Sequence, residues 1–208
     1  MSAIVGSFSR AMFIELMQKN QDRSNTAYAV MTFRPFGGVV CLEKEVGFFQ
    51  EIMVPKEVAG DYYLGFLQTP VPGHPVRAES LQPSHSEETY LFLEGDLSPR
   101  QKDAIGEMFH TTSGADNLLM HLLLNQRGLE GLEGIEGVFS ALYINRWNLY
   151  LFSTRADTPY LDQELNLGRE KFGRAGMINP KTVYHLRLDR RQTSLYSRFK
   201  TRSELGQG

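Results

Sequence analysis

The residues best suited to chemistry stand at the amino terminus, Met1-Ser2-Ala3-Ile4-Val5-Gly6. Met before a small residue is ordinarily removed. Ser2 would then hold a hydroxyl nucleophile and, in the same residue, a free α-amine able to act as its base. A retained Met1 turns that amine into an amide and removes the base. Other chemistries find less support. His74, His85, His110, His121 and His185 show no metal-ligand spacing with Cys or carboxylates. No Gly-rich phosphate loop follows a strand, and Gly-x-Ser-x-Gly is absent. No metal and no other cofactor is therefore expected. Cys41 lies in the apolar run Val39-Val40-Cys41-Leu42 and reads as a buried strand position rather than a reactive thiol.

The elements that must position Ser2 can be read from periodicity. Ile4 to Phe8 is a short buried strand, and Ser9 caps a helix over 10–20 whose apolar face is Met12, Phe13, Leu16 and Met17. Strands follow at 27–33, 39–42, 46–54 and 62–68, broken by Pro35-Phe36-Gly37-Gly38, Pro55 and Gly60. Residues 69–88, rich in Pro, Ser and His, read as a surface loop, and 89–93 as another strand. Ser98-Pro99-Arg100-Gln101 has the signature of a helix start, and the helix to Phe109 should bury Ala104, Ile105, Met108 and Phe109. Ser113 to Asp116 repeats the capping-box spacing ahead of a helix through Leu118, Leu119, Leu122 and Leu123. A connector anchored by Leu129, Leu132 and Ile135 leads to a hairpin, 138–144 and 148–153, turning at Asn145-Arg146-Trp147. Thr182 to Leu188 is the last strand expected, and residues 190–208, with Arg190, Arg191, Arg198, Lys200 and Arg202, read as a basic mobile or partner-docking tail.

Strands, then helices, then more strands indicate an α+β domain of two packed sheets with helices outside. Its 208 residues are enough for one domain with a sizeable core. The net charge of -2 exerts no global pull on nucleic acid or anionic membrane. A single cysteine excludes an internal disulfide and fits a reducing, cytoplasmic compartment. No signal peptide and no membrane span is apparent.

Taken together, the opening hexapeptide, the stretch from Leu132 through Phe139 to Arg155, and the closing Ile178-Asn179-Pro180-Lys181-Thr182-Val183 resemble class II glutamine amidotransferases. The resemblance covers residues 1–189, with 190–208 as the tail. It implies a four-layer αββα sandwich of the N-terminal-nucleophile hydrolase type, with two mainly antiparallel sheets flanked by helices. It also implies positions for the site. The family's nucleophile is a Cys exposed by removal of Met, and Ser2 stands there. Arg23 matches an Arg that follows the first helix. The family's strand ending Gly-His-x-Arg-x-Pro grips the glutamine carboxylate, and here Leu64-Gly65-Phe66-Leu67-Gln68-Thr69-Pro70 puts Gln68 in place of the Arg. An alternative register with Gly73-His74-Pro75-Val76-Arg77 needs an extra residue and loses the strand. The Asn-Gly oxyanion pair becomes Glu94-Gly95, and the Ser-Asp pair that holds the substrate α-amine becomes Gly114-Ala115 with Asp116 one residue late. Asp116 also fits a helix cap.

Four replacements in separate segments imply a degenerate glutaminase that works by binding a protein partner or a second copy of itself. The alternative is an active amidohydrolase using Ser2, either supplying ammonia to a separate synthase or hydrolysing a non-glutamine amide. A third reading is a nucleic-acid accessory role through the basic tail.

Overall fold

A computed structural model describes residues 2–21, 26–69, 81–157, 159–201 and 204. The chain forms β1 (Ala3–Ser7), α1 (Arg10–Asn20), β2 (Ala27–Arg34), β3 (Gly38–Val46), β4 (Tyr62–Gln68), β5 (Ser84–Ser86) and β6 (Thr89–Leu97). Then follow α2 (Pro99–Phe109), α3 (Asp116–Arg127), β7 (Gly137–Asn145), β8 (Asn148–Ser153), β9 (Tyr160–Leu161), β10 (Leu167–Gly168), β11 (Gly176–Met177), β12 (Thr182–Arg187) and β13 (Gln192–Arg198). Two antiparallel sheets result, in the orders β11-β9-β10-β1-β4-β2-β3 and β13-β12-β8-β7-β6-β5.

Alternation along the strands builds the layers, because successive side chains point to opposite faces. In β1, Ile4 faces the other sheet, whereas Ala3 and Val5 face α1. In β6, Phe92 enters the inter-sheet core while Leu91 and Leu93 meet α3. Helix α1 begins as expected: Ser9 Oγ accepts from the Met12 amide and the helix buries Phe13, Ile14, Leu16 and Met17. It can lie close to its sheet because Gly65 in β4 has no Cβ, and one placed there would strike the Phe13 ring and Met17 sulfur. The order of layers is therefore α1, first sheet, second sheet, then α2 with α3, the expected αββα sandwich.

Several local expectations are corrected. The strand expected over 46–54 ends at Val46, and Glu51–Met53 is a 3₁₀ turn instead. The loop expected over 69–88 contains β5, which extends the second sheet; residues 70–80 lie outside the described residues. Helix α2 caps as predicted, with Ser98 Oγ accepting from the Gln101 amide, but buries only Ile105 and leaves Met108 exposed. The cap of α3 is Ala115, with no side-chain cap bond; this helix buries Leu119, Met120, His121, Leu123 and Leu124 and leaves Leu118 exposed. Cys41 is partly exposed on the edge strand β3, where partial burial and Glu43 push its thiol up. Thr182–Leu188 is not the last strand, since 192–198 form β13 against β12. No helix among the described residues is long and apolar enough to cross a membrane.

Candidate functional site

Ser2 precedes β1 at one end of the sandwich. The pairing Ala3↔Leu67 sets it beside the end of β4, and Ser2 Oγ accepts a hydrogen bond from the Thr69 amide at 3.1 Å. Gln68 is the last residue of β4 and shares the inward parity of Leu64 and Phe66. Its Oε1 accepts from the Gln82 amide at 3.2 Å. Gln82 in turn clasps β6 like an added strand residue: its Nε2 donates to the Leu93 carbonyl at 2.7 Å, and its Oε1 accepts from the Leu93 amide.

Glu94 shares the inward parity of Phe92 and heads a row of polar side chains across the second sheet. The registers Glu94↔Ser140 and Ser140↔Ser153 align them, and all are buried. Ser140 and Ser153 hydroxyls lie 2.9 Å apart, and Ser153 Oγ donates to the Phe139 carbonyl at 2.9 Å. A carboxylate so placed, only 4% exposed, is costly without partners. Two arginines supply them. Arg169, just after β10, donates from Nη1 to Glu94 Oε1 and to the Ser2 carbonyl, the latter at 3.0 Å. Arg155, just after β8, places Nη1 3.5 Å from the same Glu94 oxygen. Asp157 closes the set, accepting from Arg155 Nε at 2.8 Å and lying 3.4 Å from Arg169 Nη2. Burial pushes the Glu94 carboxyl above its ordinary range, and Arg169 and then Arg155 pull it back. The Arg155 hydrogen bond holds Asp157 below the usual carboxylate range.

The resemblance put the Glu94 carboxylate in the place of an oxyanion-stabilising Asn. In the structure that carboxylate is paired, and two carboxylates and two guanidiniums balance. Neither arginine was singled out from sequence as a site residue. Arg155 had a signal, as the residue ending the resembling hairpin. Arg169 had none, because its loop has no periodicity. Its placement comes from Asn20 at the end of α1, whose Oδ1 accepts from the Arg169 and Glu170 amides at 2.9 and 2.8 Å.

The remaining expected positions separate. Gly95 sits opposite Phe139 with φ +106°, and a Cβ there would collide with the Val138 carbonyl, so close packing of β6 on β7 already requires glycine. Asp116 is committed elsewhere: Oδ1 accepts from the Leu97 amide at 3.0 Å, and Oδ2 pairs with Lys102 at 2.9 Å. It ties α3 to the end of β6 rather than capping its own helix. Arg23 and the alternative Arg77 lie outside the described residues, as does Met1.

This sandwich matches solved structures. Glutamine phosphoribosylpyrophosphate amidotransferase from B. subtilis, complexed with ADP and GMP, superimposes with TM-score 0.68 at 13% identity, over 96% of this chain and 49% of that one. The fold is that of the class II glutamine amidotransferase domain. A structure described as the allosteric regulatory enzyme of purine biosynthesis gives 0.70 at 12% identity, again over 96% and 49%. The chain thus spans about half the length of these two enzymes. A glutamine aminotransferase class-II domain protein from Silicibacter pomeroyi gives 0.51 at 12% identity, over 96% of this chain and 99% of that one. No protein-family model and no curated protein sequence matches the chain.

Proposed function

We propose that this chain uses the class II amidotransferase scaffold for binding or assembly, with glutamine hydrolysis lost. One observation weighs most: the carboxylate of Glu94, at the position the resemblance assigns to an oxyanion-stabilising Asn, lies in a closed ion-pair network with Arg169 and Arg155. Hydrolysis of an amide develops negative charge on its oxygen, and loss of one donor to that oxygen alone costs about 10²–10³ in rate. A carboxylate in place of the Asn side chain has no N–H to donate to that oxygen. The other remnants add to this reading. Gln68 is neutral and engaged with Gln82, and Asp116 is engaged with Lys102. Arg169 also donates to the Ser2 carbonyl, so the network is tied to the residue that would attack.

The partner is a second protein chain or a copy of this one, and the setting is the cytoplasm. The outer strands β3 and β13 are sheet edges, and an edge can accept a strand from another chain. The second reading, an amidohydrolase acting on a cationic or uncharged amide, draws on the half-buried Ser2, whose hydroxyl is held by the Thr69 amide. One comparison separates the two. Intact mass first establishes whether Met1 is present. Ammonia release from glutamine and from a panel of other amides is then measured for the wild type and Ser2→Ala. The binding reading expects both proteins at the blank rate; release that disappears in Ser2→Ala refutes it. Ser2→Cys is expected to stay inactive, because Glu94, Gln68 and Ala115 remain.

A further inference from the structure

Away from Ser2, the two sheets part at the side where β9 and β11 face β12 and β13. A cavity of about 520 Å³ opens there, within the range of about 300–1,000 Å³ usual for small-molecule sites. Leu161, Ile178 and Tyr184 line it, and all three also pack against the inter-sheet core. An apolar group entering the cleft therefore meets a surface continuous with the protein interior. Met177, 55% exposed, lies on its wall.

The charges of the lining are unequal. Arg174 and Arg191 are exposed to solvent and line the cavity. Arg191 is held in place by its guanidinium lying 4.6 Å from the Phe8 ring centroid, which leaves its N–H edge available. The one carboxylate of the lining, Asp162, is already committed. Its Oδ1 accepts from the Glu164 and Asn166 amides at 2.9 and 2.8 Å, and its Oδ2 accepts from Asn166 Nδ2 at 2.8 Å. Tyr184 accepts from the Asn179 amide at 3.0 Å, which leaves its phenolic hydrogen to donate. The cleft thus offers two guanidiniums and a hydroxyl donor above an apolar wall.

We propose that this cleft is a binding site for a small organic anion, with a carboxylate or phosphate held by Arg174 and Arg191 and an apolar body seated against Met177, Ile178 and Leu161. Fork-shaped donors suit such planar or tetrahedral oxyanions. The assignment is independent of any chemistry at Ser2.

The test uses the whole chain and the fluorescent probe 8-anilinonaphthalene-1-sulfonate, an aromatic anion, displaced in turn by phenyl phosphate, benzoate and neutral benzamide. Arg174→Gln removes one guanidinium from an exposed side chain. Met177→Asp, also exposed, places a negative charge on the apolar wall. Both should leave the melting temperature unchanged. The expected result is one saturable site per chain, displaced by the two anions and not by benzamide, weakened about tenfold in Arg174→Gln, as for loss of a charged hydrogen bond, and abolished in Met177→Asp. Lack of saturation, displacement by benzamide as readily as by the anions, or equal affinity in wild type and both variants overturns the proposal.

Discussion

Two arginine pairs meet the sandwich in opposite ways. Arg155 and Arg169 enter the mouth beside Ser2, their side chains 14% and 15% exposed, and each reaches Glu94 and Asp157. Arg174 and Arg191 stand at the side cleft in solvent, where the neighbouring Asp162 is occupied by backbone and amide donors. Guanidinium is the same chemistry in both places. Burial beside a fixed carboxylate turns it into an internal strut, whereas exposure beside a committed one leaves it for a ligand.

Breaking the mouth should cost most. Arg169→Ala strands the buried Glu94 with only the more distant Arg155, and removal of one partner of a buried pair typically costs about 3 kcal/mol or more. Urea unfolding should show a lower midpoint with unchanged slope. Glu94→Gln in the Arg169→Ala background should recover part of that loss, since the orphaned charge is gone. Full additivity of the two substitutions would show that the residues do not act as a unit.

The next effect concerns the frame that holds the mouth in place. Gly65→Val puts side-chain atoms where Phe13 and Met17 lie, and overpacking of this kind costs about 2 kcal/mol. It should lower stability while leaving probe binding at the side cleft intact.

A smaller, pH-dependent effect comes from His121, a buried polar group with no charge partner. The Thr89 hydroxyl donates to the Ser86 carbonyl at 2.7 Å, so the His121 Nε2–H must donate to that same oxygen, 2.9 Å away. Burial, with His85 nearby, lowers its pKa from 6.5 to about 4. The unfolded chain therefore takes up this proton first. The contribution is complete above about pH 6.5 and is lost as pH falls toward 4. His121→Gln should flatten that part of the stability profile. Arg174→Gln should change stability least, within about 0.5 kcal/mol, as exposed substitutions do.

Where the sequence was legible, one physical rule dominated each segment. Ser9 and Ser98 each stand at a break before a helical pattern, and both cap as read. The Asn145–Asn148 turn separates two clean alternations, and β7 pairs with β8 across it. Where two rules competed, the reading failed. Ser113 and Asp116 match a capping box, but Asp116 has a better use bridging Leu97 and Lys102. Met108 and Leu118 fit apolar helical faces, yet α2 and α3 lie at the outer layer and bury narrower stripes than the pattern allowed. Strand β13 alternates weakly because both its faces are largely exposed.

The sequence by itself determined an α+β domain of two packed sheets with helices outside, since period and punctuation act on neighbours along the chain, and its resemblance to class II glutamine amidotransferases pointed to Ser2, Gln68 and Glu94. Only the tertiary structure decided what those residues became. Asn20 brings Arg169 to Glu94 from residues 149 and 75 positions away along the chain. No pattern over a short window reports such a pairing. It is fixed by the cost of leaving a carboxylate buried without a partner.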